Sequence, residues 1–157
     1  QQMIEKKIFH ARSGAPFKES EAQLLGEYKE QRKLDTPEDL LSDAGNDTSP
    51  FNRYFEWDDT KAALEHRIQQ ARNILNHFEV EIVYTGGETV SFPRAFEVVH
   101  EDKQSRYVPV EQGLSQEEYR KEIVQRAYST LQGWVERYKI YSEFEPIVSA
   151  FEKLDVQ

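Results

Sequence analysis

The hydrophobic period of this chain changes abruptly between residues 78 and 80. Leu64, Ile68, Ala71, Leu75 and Phe78 recur at alternating spacings of four and three, which is one buried face of an α-helix. Immediately afterwards Val80, Ile82 and Tyr84 alternate with Glu81, Val83 and Thr85, the two-residue period of a strand, and Gly86-Gly87 sits where a hairpin turn requires positive φ. A chain that runs in one period and then the other segregates its helices from its strands. The predicted class is therefore α+β rather than alternating βαβ.

The same reading places helices near 18–33, 37–44, 50–56, 60–78 and 115–144, with a three- or four-stranded antiparallel sheet between 79 and 111. Leu24, Leu25 and Tyr28 give the first helix a narrow buried stripe, which Gly26 weakens by ~1 kcal/mol relative to Ala. Thr36-Pro37-Glu38-Asp39 supplies an N-cap, a proline at the first helical position and acids in the first turn, and Gly45 supplies the stop. Asp58, Asp59 or Thr60 caps the next long helix. Ser115 with Glu118 fits a capping box, opening a C-terminal helix whose seam runs through Val124, Ala127, Leu131, Trp134, Tyr138 and Tyr141 until Pro146 ends or kinks it. Residues 1–16 read as an arm ending in a turn at Gly14. One domain over 1–157 is expected, with a helical part at 1–78, strands at 79–111 and a helical part at 112–157.

Charge narrows the function classes. The net charge is -9, and residues 34–60 hold eight acids against Arg53 alone. No stretch is basic enough to neutralise several phosphates, so general nucleic-acid affinity is disfavoured. The chain has no cysteine, which removes thiol chemistry and Cys-type zinc sites, and no apolar run approaches a membrane span. His10, His66, His77 and His100 lack metal-ligand spacing, and the serines lack a nucleophile elbow. Neither catalytic residue, cofactor nor metal is expected, and cytoplasm is the default compartment. The opening Gln1-Gln2-Met3 reads as a trimmed start, because an encoded chain begins with Met.

Two constellations point to binding. The run Tyr54-Phe55-Glu56-Trp57-Asp58-Asp59 interleaves three large aromatics with three acids. With Asp43 and Asp47 it forms a candidate surface for a basic protein partner, aromatics supplying contact area and acids complementary charge. The competing reading makes the rings core and the acids helix caps. The two short capped helices around Gly45 also outline a helix-turn-helix, which would offer Asn52 and Arg53 to base edges and Lys6, Lys7, Arg12 and Lys18 to phosphates. The acids surrounding Asn52 and Arg53 oppose that alternative. The aromatic seam of the last helix is read as core or as a self-association strip, with a homo-oligomer slightly favoured.

The stretch from Leu34-Asp35-Thr36-Pro37-Glu38-Asp39-Leu40-Leu41 through Ser49-Pro50-Phe51 and Phe55-Glu56-Trp57-Asp58-Asp59 to Gln70-Ala71-Arg72, followed by strands and a helix bearing Trp134, resembles a group of small proteins encoded by tailed phages and prophages. The resemblance covers about two thirds of the chain and implies a mobile-element origin, acting in the host cytoplasm, and no catalytic residue. The function expected is a non-enzymatic phage protein that binds another protein, regulating or inhibiting a nucleic-acid-handling partner.

Overall fold

A computed structural model describes residues 3–156, so the Gln1-Gln2 start lies outside the described residues. The class is α+β, with six helices and two small antiparallel sheets among the described residues. The chain divides between Val110 and Glu111 into two compact units.

The first unit runs β1 (Ile4–Ala11), α1 (Glu19–Gln31), α2 (Pro37–Ala44), a 3-10 turn (Asn52–Tyr54), α3 (Leu64–Leu75), β2 (Phe78–Tyr84), β3 (Thr89–Phe92), β4 (Phe96–Glu101) and β5 (Gln104–Pro109). The change of period falls where α3 gives way to β2. Phe78, Val80 and Ile82 are buried on one face of β2, and Gly87 takes φ +89° in the hairpin that follows. The strands do not form one sheet. β2 is central between β1 and β3, whereas β4 and β5 make a separate hairpin.

Residues 1–16 are not a loose arm. Ile4–Ala11 pairs antiparallel with β2, setting Phe9 opposite Val80 and Ala11 opposite Phe78. Only Phe9 among its side chains is buried, because its inner face otherwise carries Lys7 and Ala11, and so the strand shows no apolar alternation. The outer edge of β1 is covered by α1. The Phe9 N–H donates to Gln23 Oε1 at 2.8 Å while Gln23 Nε2 donates to the Lys7 carbonyl at 3.0 Å, and the Ala11 N–H donates to Glu19 Oε1 at 2.8 Å. One side-chain amide thus satisfies two of the backbone groups that a further strand would engage, and Glu19 a third.

The stripe of α1 is Ala22, Leu25, Gly26 and Lys29, rotated from the expected one, and Leu24 is 58% exposed. A Cβ at Gly26 would stand 2.4 Å from Phe9 Cγ, so the glycine admits the ring that locks β1 under the helix. Phe9 in turn stacks on Phe96 at 5.9 Å, and Phe78 meets Phe17 at 4.5 Å and Phe96 at 5.5 Å. This aromatic centre joins residues far apart in sequence and is packed among buried aliphatics such as Leu25, Ile74 and Val80.

The helix expected at 37–44 is present with those bounds, its first turn capped by Thr36 Oγ1 accepting from the Asp39 N–H at 3.0 Å. The helix expected at 50–56 is instead the three-residue 3-10 turn, since the Asn52 side chain is drawn back to donate to the Ala44 carbonyl at 2.8 Å and Phe51 is buried. The long helix begins at Leu64, not 60. Asp58 accepts from both the backbone and the hydroxyl of Thr60, closing a turn ahead of the helix, and Ala63 stands at the N-cap without a side-chain bond.

The second unit contains the rest of α4 (Val110–Ser115), then α5 (Glu117–Tyr138), a 3-10 turn (Ser142–Phe144) and α6 (Glu145–Glu152). Ser115 ends α4 instead of capping α5, whose N-cap is Gln116 with no side-chain bond. The single helix expected at 115–144 stops at Tyr138, and Pro146 occupies the first turn of α6, where its missing N–H costs nothing. α6 folds back along α5: Phe144 lies edge-on to Trp134 at 5.0 Å and Phe151 stacks on Tyr128 at 5.1 Å.

Candidate interaction surface

The acidic-aromatic segment is organised from α3. Arg67 Nε donates to the Glu56 carbonyl at 2.8 Å and Arg67 Nη2 meets Asp59 Oδ1 at 2.6 Å, while the Glu56 N–H donates to Gln70 Oε1 at 3.2 Å. Two helical side chains one turn apart therefore hold both ends of residues 56–59. Within the loop, Thr60 Oγ1 donates to Asp58 Oδ1 at 2.6 Å and the Thr60 N–H to the same oxygen at 2.9 Å. These bonds, the hydroxyl's first, hold the Asp58 carboxyl below its usual range.

The rings divide between core and surface. Phe55 is buried and Tyr54 half-buried, its ring edge-on to Phe17 at 6.4 Å. Trp57 is 38% exposed: it packs on Phe55 at 5.5 Å, lies 5.5 Å from the Arg67 guanidinium and donates its indole N–H to the Asn52 carbonyl at 2.8 Å. Asp47, Asp58 and Asp59 are exposed. Asp43 faces inward, accepting from the Ser49 hydroxyl at 2.6 Å and from Tyr28 at 3.1 Å. Burial of the ring, then this bond, raises the Tyr28 pKa. The segment thus supplies one ring to the core and presents another with two carboxylates, and its acids close a turn and an ion pair rather than cap a helix.

The residues considered for DNA contact lie on separate elements. The Asn52 amide is spent on the Ala44 carbonyl, and Arg53, exposed, pairs with Glu21 at 3.3 Å. Lys6 and Lys7 lie on β1, with Lys7 paired to Glu30; Arg12 follows the strand, its guanidinium donating to the Asn76 carbonyl at 3.4 Å; Lys18 is the N-cap of α1. A three-residue turn is too short to lie in a major groove as a recognition helix.

Sequence reasoning missed the buried charge. Lys29 is fully buried, its Nζ donating to Asp35 Oδ1 at 2.8 Å and to the Tyr107 carbonyl at 2.5 Å, 4.3 Å from the Phe96 ring centre. Asp35 Oδ2 also holds Arg106 at 3.0 Å. Desolvation lowers the Lys29 pKa and Asp35 opposes it. The group ties α1 and the α1–α2 loop to β5, and its signal in sequence was a lysine four residues after a buried leucine, on the apolar side of the helix. A second charged clasp joins three elements: His10 Nδ1 lies 2.8 Å from Glu19 Oε2 and Nε2 lies 3.6 Å from Glu81. The bond to Glu19 raises the His10 pKa.

An open hollow of ≈ 500 Å³ runs between β1 and α1, walled by Lys6, Phe9, Gln23 and Glu27 among others. Among the described residues no group of His, Asp and Glu is arranged to hold a metal ion, and no helix is long and apolar enough to cross a membrane. Compared with protein-family models, curated proteins and solved structures, the chain matches none.

Proposed function

We propose that this chain is a non-enzymatic, phage- or prophage-encoded binding protein that acts in the host cytoplasm. Its loop 56–60, with Asp47 beside the adjoining turn, docks on a basic surface of a partner protein and occupies a site that would otherwise handle nucleic acid. The observation that carries the reading is Trp57, more than a third exposed next to two exposed carboxylates on a loop already held by Arg67 and Gln70. A preorganised loop loses little conformational freedom on docking, so the contact area of the indole and the charge of Asp58 and Asp59 convert into affinity. Large aromatics at the centre of an interface are the residues whose truncation costs most.

The test is affinity capture from bacterial lysate on immobilised protein. One stoichiometric basic partner is expected with the wild type and is lost with Trp57→Ala and with Asp58→Lys. Retention of that partner by both variants excludes the loop as the contact. A second titration, against duplex DNA at low salt, is expected to give no binding. Binding with a steep salt dependence would instead favour the DNA-reading alternative through Arg53, Lys6, Lys7, Arg12 and Lys18.

A further inference from the structure

The two margins of the three-stranded sheet are finished differently. At β1 the side chains of Gln23 and Glu19 satisfy three backbone groups. At β3 no such cover exists. The Tyr84 N–H donates to the Glu88 carbonyl at 2.8 Å, which sets the alternation of the ladder: Ile82 with Val90 and Val80 with Phe92 are the bonded pairs, and Thr89 and Ser91 turn their N–H and C=O groups away from β2. Those four groups have no hydrogen-bond partner among the described residues, and both residues are exposed. Val90 and Phe92, on the same face as the buried Val80 and Ile82, are only half-buried, so the apolar layer beneath the sheet is incompletely covered along this margin.

We propose that β3 takes an extended segment of a partner protein as a fourth strand of this sheet. The bonding selects the class of ligand. Two donors and two acceptors at the two-residue spacing of a strand are matched by another extended backbone, and not by a helix, whose backbone groups are spent internally. Side chains then select within that class. The segment residue opposite Val90 lies against Val90 and Phe92 and is apolar; its neighbours, opposite Thr89 and Ser91, point to the outer face, where Glu81 stands beside Ser91, and are polar or basic. Pairing stops at the hairpin of Gly87 on one side and at Pro93, which has no N–H, on the other. A second copy is the poorer occupant. The antiparallel register that engages all four groups sets Thr89 against the other copy's Ser91, and with it Glu88 against the other copy's Phe92, twice over, between chains that each carry a net charge of -9.

The probe is a short capped peptide alternating threonine and valine between terminal lysines, added to the full chain while backbone amide exchange is followed by NMR. At saturating peptide the Thr89 and Ser91 amides are expected to exchange about tenfold more slowly, and those of Val90 and Phe92, already bonded to β2, to change less. N-methylation of the peptide along its bonding edge is expected to abolish the effect. Ser91→Pro deletes one outward N–H and no ladder bond, so it is expected to lose about tenfold in affinity with the circular dichroism spectrum unchanged, whereas Ser91→Ala keeps the wild-type affinity. Unchanged exchange at Thr89 and Ser91 overturns the proposal, as does equal protection by the N-methylated peptide. Protection that appears on concentrating the chain alone, together with a doubled mass in light scattering, gives the margin to a second copy and overturns it as well.

Discussion

Lys29 and Asp35 show how unequal the two halves of a buried ion pair can be. Removing Asp35 leaves a fully buried ammonium and the Arg106 guanidinium without the carboxylate both address, whereas removing Lys29 leaves Asp35 still held by Arg106. An uncompensated buried charge costs about 3–5 kcal/mol. Asp35→Ala is therefore expected to lose about that much in urea unfolding. Lys29→Met keeps the volume and removes the donor from the Tyr107 carbonyl and from Asp35 Oδ1, while Asp35 Oδ2 stays on Arg106, so its expected loss is smaller, about 1–3 kcal/mol. Equal losses would mean that Arg106 contributes nothing to holding Asp35.

The contact of α1 with β1 sets two effects of one methyl group against each other. Gly26→Ala gains about 1 kcal/mol of helix propensity. It also places a Cβ inside the contact radius of the Phe9 ring near its attachment, where the ring cannot swing aside, and overpacking of that kind costs about 1–3 kcal/mol. The net expectation is destabilisation, measured as a lower thermal midpoint, and Phe9→Leu with Gly26→Ala recovers part of it.

This junction also marks where legibility in the sequence ended. The passage from α3 to β2, the helix at Pro37–Ala44 and the turn at Gly87 were readable because each is specified by neighbours: a period, a cap, a glycine. β1 was not, because Glu5-Lys6-Lys7 breaks the alternation and its one buried ring is matched by a glycine seventeen residues later. The helix starts at Asp58–Thr60 and Ser115 misled for a related reason. Asp58 and Thr60 close a turn as readily as they cap a helix, a choice that lies with Arg67 and Gln70 across the loop, and Ser115 is taken up as the last residue of α4. Of the candidate surface, composition disclosed the aromatic-acid alternation; which ring faces outward was decided by packing on Phe55.

For the molecule as a whole, the His10 clasp joins β1, α1 and β2, and its chemistry gives stability a pH dependence. The His10 pKa lies above its unfolded value, so its contribution is complete below about pH 6.5 and is lost as pH rises through the raised value. Glu19 is lowered, first by the Ala11 N–H and then by His10, so its contribution is present above about pH 4.5 and fails as pH falls through the lowered value. Both groups are partly solvated, which keeps the effect small. The urea midpoint is expected to be higher at pH 5.5 than at pH 8.5, by less in His10→Gln; an unchanged difference in that variant would place the dependence elsewhere. Trp134→Ala tests the other unit. Its ring is half-buried against Phe144 and Tyr138, so the loss is expected near 2 kcal/mol rather than the ~3–5 of a fully enclosed ring.

The Gln23 amide closes one of the two margins of the three-stranded sheet, the one at β1. A sheet with an open margin is a growing end: each chain that adds presents the same margin to the next, and nothing in the ladder says when to stop. Here a side chain from the covering helix ends the series, in the geometry of one peptide unit. Growth on that side is thereby stopped by a residue that belongs to no strand, and at the β1 margin the readiness of one chain to add to another becomes a property of position 23.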